Sequence, residues 1–260
     1  MFKMELNINC DLGEKSEIFE AKNDYELLKI INTANIACGY HAGSKAIIKE
    51  TVINSKKFDV SIGAHPGFKD RKNFGRKRYS LTSKELNKLI TEQLEIILKI
   101  SEDQNYKITH VKPHGALNNM ACEDMNLSMQ IAKTIYSFDK NLIYMVLPCT
   151  EMIKGAQKIN LKYACEIFAD RNYNEFGLLI DRSEKNSIIN DPKLAATNLI
   201  QMLENKGIKT IGGNFLKTDI DTICIHGDGI NALNIVKFIK NKLLKQGIKF
   251  KKLNLLNKFK

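Results

Sequence analysis

Six times along this chain a short apolar run of β character stops abruptly in a polar cluster, usually one punctuated by glycine. The clusters are Asn9-Cys10-Asp11-Leu12-Gly13-Glu14, Cys38-Gly39-Tyr40-His41-Ala42-Gly43, Gly63-Ala64-His65-Pro66-Gly67, His110-Val111-Lys112-Pro113-His114-Gly115, Glu166-Ile167-Phe168-Ala169-Asp170-Arg171 and His226-Gly227-Asp228-Gly229. All five histidines of the chain fall inside them. A parallel α/β protein builds one site from many loops at the carboxyl ends of its strands, and this repetition is the sequence trace of that arrangement. The pattern reads as an enzyme.

The strands are expected at Glu5–Cys10, Asn35–Cys38, Val60–Ala64, Thr109–Val111, Leu142–Leu147, Ala164–Phe168 and Thr222–Ile225. Helical periodicity fills the intervals: 24–32, 45–58, 82–100, 127–138, 150–159, 191–205 and 229–246. Thr82-Ser83-Lys84-Glu85 has the form of a capping box opening the third of these. Alternation of strand and helix implies parallel pairing with helical crossovers. Seven such strands point to a barrel-like sheet, not necessarily fully closed, with an open doubly wound sheet as the rival. A single domain is expected over residues 1–250. The basic tail 251–260 is expected to fray, and the polar segment 172–189 to cover the site.

Composition narrows the function. At 260 residues the chain can bury a large core as one barrel. Forty basic against twenty-nine acidic side chains give +11, which favours small anionic ligands. No nucleic-acid motif or aromatic stacking platform accompanies the lysines. The amino terminus lacks the apolar run of a signal peptide, and no stretch is long enough to span a membrane, so a cytoplasmic protein is expected. The six cysteines include no C-x-x-C pair and read as free core thiols. Oligomeric state is open.

Asp11, after the first strand, reads as a general base or metal ligand, while Glu14 reads equally as a site carboxylate or a turn residue. His41 and His65 end neighbouring strands and point to a common site. Pro113 forbids a helix through His110, Lys112 and His114, so His110 and Lys112 project from one side of a strand and His114 enters the loop beyond. Lys112 can hold an oxyanion or pair with a site carboxylate. Asp170 and Arg171 end the sixth strand, and His226 and Asp228 the seventh. Asp11, His41, His65 and His226 could together bind a divalent metal, although none has the spacing of a local metal motif. No phosphate-binding loop of the G-x-x-x-x-G-K-[ST] form occurs.

These clusters resemble the LamB/YcsF family, through Asn9-x-Asp11-Leu12-Gly13-Glu14, Asn35 through Gly43, Gly63-Ala64-His65-Pro66 with Asp70-Arg71 and Phe74-Gly75-Arg76, His110 through Leu117, Glu166 through Arg171 with Tyr173, and Cys224 through Asp228. The motifs occur in family order and cover nearly the whole chain. The resemblance implies a distorted TIM-like barrel of the glycoside hydrolase/deacetylase type. It also implies ATP-dependent opening of 5-oxo-L-proline to L-glutamate in company with subunits B and C. On that reading Asp11, His65, Lys112, His114 and Asp228 are catalytic. Asn9, Glu14, Asn35, His41, Arg76, Asn119, Asp170, Arg171 and His226 bind substrate. ATP then serves as co-substrate through the partner subunits. The family usually carries Asp where this chain has Ser44, Leu-Tyr-Asn where it has Leu117-Asn118-Asn119, and Val-Pro-Arg-Ser where it has Ile180-Asp181-Arg182-Ser183. A metal-dependent deacetylase or other carbohydrate-active hydrolase on the same barrel, or a non-catalytic anion-binding subunit, are the alternatives.

Overall fold

Seven parallel strands close into a barrel in the computed structural model, which describes residues 4–260. The first six are β1 (Glu5–Leu12), β2 (Thr33–Ala37), β3 (Ser61–His65), β4 (Ile108–Val111), β5 (Ile143–Val146) and β6 (Tyr163–Phe168). A short antiparallel hairpin of β7 (Gly207–Lys209) and β8 (Phe215–Lys217) stands outside the ring, and β9 (Thr222–His226) is its seventh strand. Each barrel strand pairs with the next, and β9 pairs with both β6 and β1, which completes the ring. The open-sheet alternative is thereby excluded. The helices are α1 (Asp24–Leu28), α2 (Lys45–Lys57), α3 (Ser83–Asp103), α4 (Gly115–Glu123), α5 (Met125–Phe138), α6 (Glu151–Ile159), α7 (Pro192–Asn205) and α8 (Ala232–Lys245). The capping box at Thr82 and Glu85 is formed as its spacing predicts. Ser44 caps α2 by accepting from Ile47 N, a role aspartate fills equally well, so the Ser-for-Asp difference leaves the local fold intact.

The wall of the barrel alternates strictly. Along β1, Leu6, Ile8, Cys10 and Leu12 join the apolar core beneath the helices. Asn7, Asn9 and Asp11 point the other way, into a hydrogen-bonded interior. Asn7 Nδ2 donates to Thr33 Oγ1 at 2.8 Å, Asn9 Nδ2 to Thr222 Oγ1 at 2.7 Å, and Asn35 Nδ2 to Asn9 Oδ1 at 2.8 Å. His110 Nε2 donates to Asn35 Oδ1 at 2.8 Å. Gly63 makes room for this imidazole, since a Cβ there would lie 2.4 Å from the His110 ring.

Three expectations are corrected. First, β1 runs two residues further than expected, so Asp11 stands within the strand; its pairing continues through Asp11 to Asn35 and His226. Second, the tail does not fray. β10 (Lys249–Phe250) pairs with the start of β1, and Leu253 and Leu256 pack on Ile143, Met145 and Ala164. Its lysine content hides this apolar pair, which seals the amino-terminal end of the barrel. Third, the hairpin of β7 and β8 after α7 falls where the sequence reading places no strands. Among the described residues no helix is long and apolar enough to cross a membrane. Met1–Lys3, where the reading of the amino terminus begins, lie outside the described residues. All six cysteines are free, with Cys149 exposed and the rest buried.

Candidate active site

The carboxyl ends of the strands surround a cavity of about 230 Å³. Its floor is charged. Asp11 Oδ1 accepts from Lys112 Nζ at 2.8 Å and from Asn35 Nδ2 at 2.7 Å, and Oδ2 lies 3.5 Å from His65 Nε2. Lys112 Nζ also lies 3.0 Å from Glu166 Oε1 and 3.1 Å from Cys224 Sγ. Lys112 therefore pairs with carboxylates, and it also lines the cavity.

Burial resists ionisation of Asp11, but the charges of His65 and Lys112 outweigh it and hold the carboxyl well below the usual range. For Lys112 burial is likewise outweighed, by Asp11 first, and the ammonium is held well above its ordinary value. Glu166 is different. Burial dominates over Lys112, and its carboxyl is pushed up. A single ammonium between two buried carboxylates thus leaves one firmly ionised and the other easier to protonate.

Beside this trio three imidazoles meet Glu14. Glu14 Oε1 lies 3.2 Å from His41 Nε2 and 3.1 Å from His114 Nδ1. His41 and His114 stack face to face, centroids 3.8 Å apart and planes at 3°, with His65 at right angles to both. Gly75, at φ +65°, permits this stack, since a Cβ there would lie 2.8 Å from His41 Cβ. Burial lowers the His41 imidazole to about 3, reinforced by His114. His65 moves up despite burial, because Asp11 and Glu14 favour its charged form.

The rim is cationic. Asp228 Oδ2 accepts from Arg76 Nη2 at 2.5 Å and from Arg182 Nη1 at 3.1 Å. Arg171 lines the wall, its Nε donating to Ser187 O at 3.1 Å. Residues 179–182, from the segment expected to cover the site, are among the residues that line the cavity.

Asp11, Glu14, His65, Arg76, Lys112, His114, Asn119, Arg171, His226 and Asp228 all line the cavity, as their assignment to one site requires. Asn9, Asn35, His41 and Asp170, expected to bind substrate, stand one layer behind it. Asn35 donates to both Asp11 and Asn9, and His41 holds Glu14. Asp170 accepts from the backbone and ring of His226, each at 3.0 Å. Their side chains turn to these neighbours and do not line the cavity, although His41 Nδ1 is buried without a hydrogen-bond partner. The metal set expected from sequence also divides. His41 and His65 group with Glu14 and His114, whereas Asp11 groups with Cys224 and His226, among the described residues. Sequence reading assigns no role to Glu166, Arg182 or Cys224. Glu166 carries a usable signal, a lone carboxylate inside an apolar strand; Arg182 sits in a loop without periodicity and carries none.

The LamB/YcsF family model matches residues 6–258. A curated relative from Staphylococcus carnosus, named as the A subunit of 5-oxoprolinase, is 39% identical over 250 residues, covering 96% of this chain and 99% of its own. The crystal structure of a lactam utilization protein from Thermus thermophilus superposes with a TM-score of 0.88 at 33% identity, covering 95% of this chain and 99% of that one. The catalytic domain of a peptidoglycan N-acetylglucosamine deacetylase from Eubacterium rectale shares the fold alone, at a TM-score of 0.51 and 8% identity, covering 98% of this chain and 90% of that one.

Proposed function

The chain belongs to the LamB/YcsF family, and from that premise we propose that it is the ring-opening subunit of a 5-oxoprolinase, converting 5-oxo-L-proline to L-glutamate at the expense of ATP. The observation that carries this reading is the division of one cavity into an acid–base floor, Asp11 with His65, and an arginine rim, Arg76, Arg171 and Arg182. A small cyclic amide bearing a carboxylate fits that polarity.

Partner subunits, of the B and C type, supply the activation. This chain has no phosphate-binding loop of the kind that grips a nucleotide. An unactivated lactam has a poor leaving nitrogen, and phosphorylating its oxygen makes the ring carbon electrophilic. Water then adds to that carbon, giving its proton to Asp11. Collapse breaks the carbon–nitrogen bond, nitrogen takes a proton, and the resulting acyl phosphate is hydrolysed by a second water to glutamate and phosphate. Asp11 at rest is too well stabilised to be a good base. An arriving phosphate competes for Lys112 and returns basicity to it, so the two groups act in sequence. The rim arginines meet the carboxylate and phosphate of the substrate. A complex that uses ATP in this way belongs in the cytoplasm.

The test is glutamate release from 5-oxoproline and ATP, with and without co-expressed partner subunits. The isolated chain should show little turnover. In the complex, Asp11→Asn should lower turnover about 10²–10⁴-fold, the usual cost of losing a general base, with melting close to that of the parent. Wild-type turnover by Asp11→Asn would remove Asp11 from the chemistry.

A further inference from the structure

Two histidines of the site have their tautomers set from outside it. The Lys112 carbonyl lies 2.7 Å from His65 Nδ1, and the Phe74 carbonyl 2.8 Å from His114 Nε2. A carbonyl oxygen only accepts, so each of those nitrogens carries the ring proton. In the neutral rings His65 Nε2 and His114 Nδ1 are therefore bare lone pairs, and they face each other at 3.0 Å. Glu14 Oε1, also an acceptor, lies 3.1 Å from His114 Nδ1 and 3.7 Å from His65 Nε2. With both rings neutral, three electron pairs converge on one point. The side chains that carry them are only 3%, 1% and 6% exposed for Glu14, His65 and His114, so bulk water does not relieve the repulsion. The arrangement calls for a cation.

We infer that this cation is a divalent transition metal held by Glu14 Oε1, His65 Nε2 and His114 Nδ1. Zinc takes nitrogen and oxygen ligands at about 2.0–2.2 Å in a tetrahedron, which sets ligand atoms roughly 3.3 Å apart. The separations here, 3.0, 3.1 and 3.7 Å, bracket that value. Two imidazoles and one carboxylate form a three-ligand set that leaves a fourth position open. The backbone carbonyls on the far nitrogens are the outer partners that metal-bound histidines need to stay oriented. All three side chains line the cavity, so the open position faces it, and Asp11 Oδ2 stands beside it, 3.5 Å from His65 Nε2.

His41 is excluded as a ligand by its stack. With its ring parallel to His114 at 3.8 Å, a metal in the plane of one imidazole stands out of the plane of the other. His41 Nε2 instead donates to Glu14 Oε1 at 3.2 Å and fixes the carboxylate. A metal bound here would polarise a lactam oxygen or a water in the cavity.

The test measures binding by the whole chain, so its outcome is independent of whether 5-oxoproline is the substrate. Chelator-stripped protein is titrated with Zn²⁺ by calorimetry and with Co²⁺ by visible absorption. One equivalent per chain and a four- or five-coordinate Co²⁺ spectrum are expected. His65→Asn and His114→Asn should weaken binding by more than His41→Phe, which removes an outer partner and should cost about 10–100-fold. Folding of each variant is checked by circular dichroism. Because a ligand variant can unfold, imidazole ¹⁵N shifts are also read on the unaltered protein. Zn²⁺ should move His65 Nε2 and His114 Nδ1 and leave their partner nitrogens protonated. Failure to bind either metal, undiminished binding by the folded ligand variants, or ¹⁵N shifts that Zn²⁺ leaves in place would each overturn the inference, the last marking the cation as a proton.

Discussion

Strand β1 carries the two faces of the barrel wall side by side. Leu6, Ile8, Cys10 and Leu12 enter the apolar layer under the helices, while Asn7, Asn9 and Asp11 enter a hydrogen-bonded interior. The outer layer is aligned by register: Ile8, Ile223 and Ile167 lie abreast on three adjoining strands. Contacts there are non-directional, and area removed from water sets their strength. In the interior each group depends on a particular partner. Thr222 Oγ1 accepts from Asn9 and donates to Asn7, and Asn35 spans Asn9, Asp11 and His110. A polar interior of this kind is favourable only when complete, because an orphaned buried group costs more than its bond contributes. The outer face holds the barrel together, and the inner face aims the charges at its mouth.

Lys112→Met should break the inner face most severely. It leaves Asp11 and Glu166 buried without their cation, and removing one partner of a buried pair costs about 3–5 kcal/mol. Turnover in the complex should be lost together with this stability, as read by denaturant titration and glutamate release. A variant that melts like the parent would show that the interior is not interdependent. Ile223→Ala tests the outer face. Ile223 is fully buried, and the loss should be about 2–5 kcal/mol, with turnover per folded molecule unchanged. A large fall in that turnover would mean the two faces are not separable. Thr82→Ala, far from both, removes the capping box of α3 and should cost about 1 kcal/mol without touching activity. It sets the scale against which the other two are judged.

Legibility in sequence follows the same division. The outer face announces itself through period-2 apolar runs, and seven strands in parallel order are readable from them. Inner-face residues are visible as polar intrusions, yet their roles are not, because role depends on which side chain is already occupied. Asn9, Asn35, His41 and Asp170 share motifs with residues that reach the cavity, and only partner geometry separates them. The packed tail is hard to see because two leucines, Leu253 and Leu256, lie among lysines and asparagines. The hairpin of β7 and β8 is invisible because its strands are too short for periodicity to register.

Barrel closure joins the first strand of the ring to its last. The Asn9–Thr222 hydrogen bond spans 213 residues, and the Asn7–Lys251 bond spans 244. At a translation rate of about 5–20 residues per second, β1 waits roughly 10–50 s for its final neighbour. Throughout that interval one edge of the nascent sheet is unpaired, and Asn7 and Thr33 lack the groups of the tail that complete them. The ribosome therefore holds an open sheet that no local event can finish. Such a chain is slow by topology and exposed to edge-to-edge association until β9 and β10 emerge to pair with β1. Truncation before Thr222, which removes β9, would make that vulnerable state permanent.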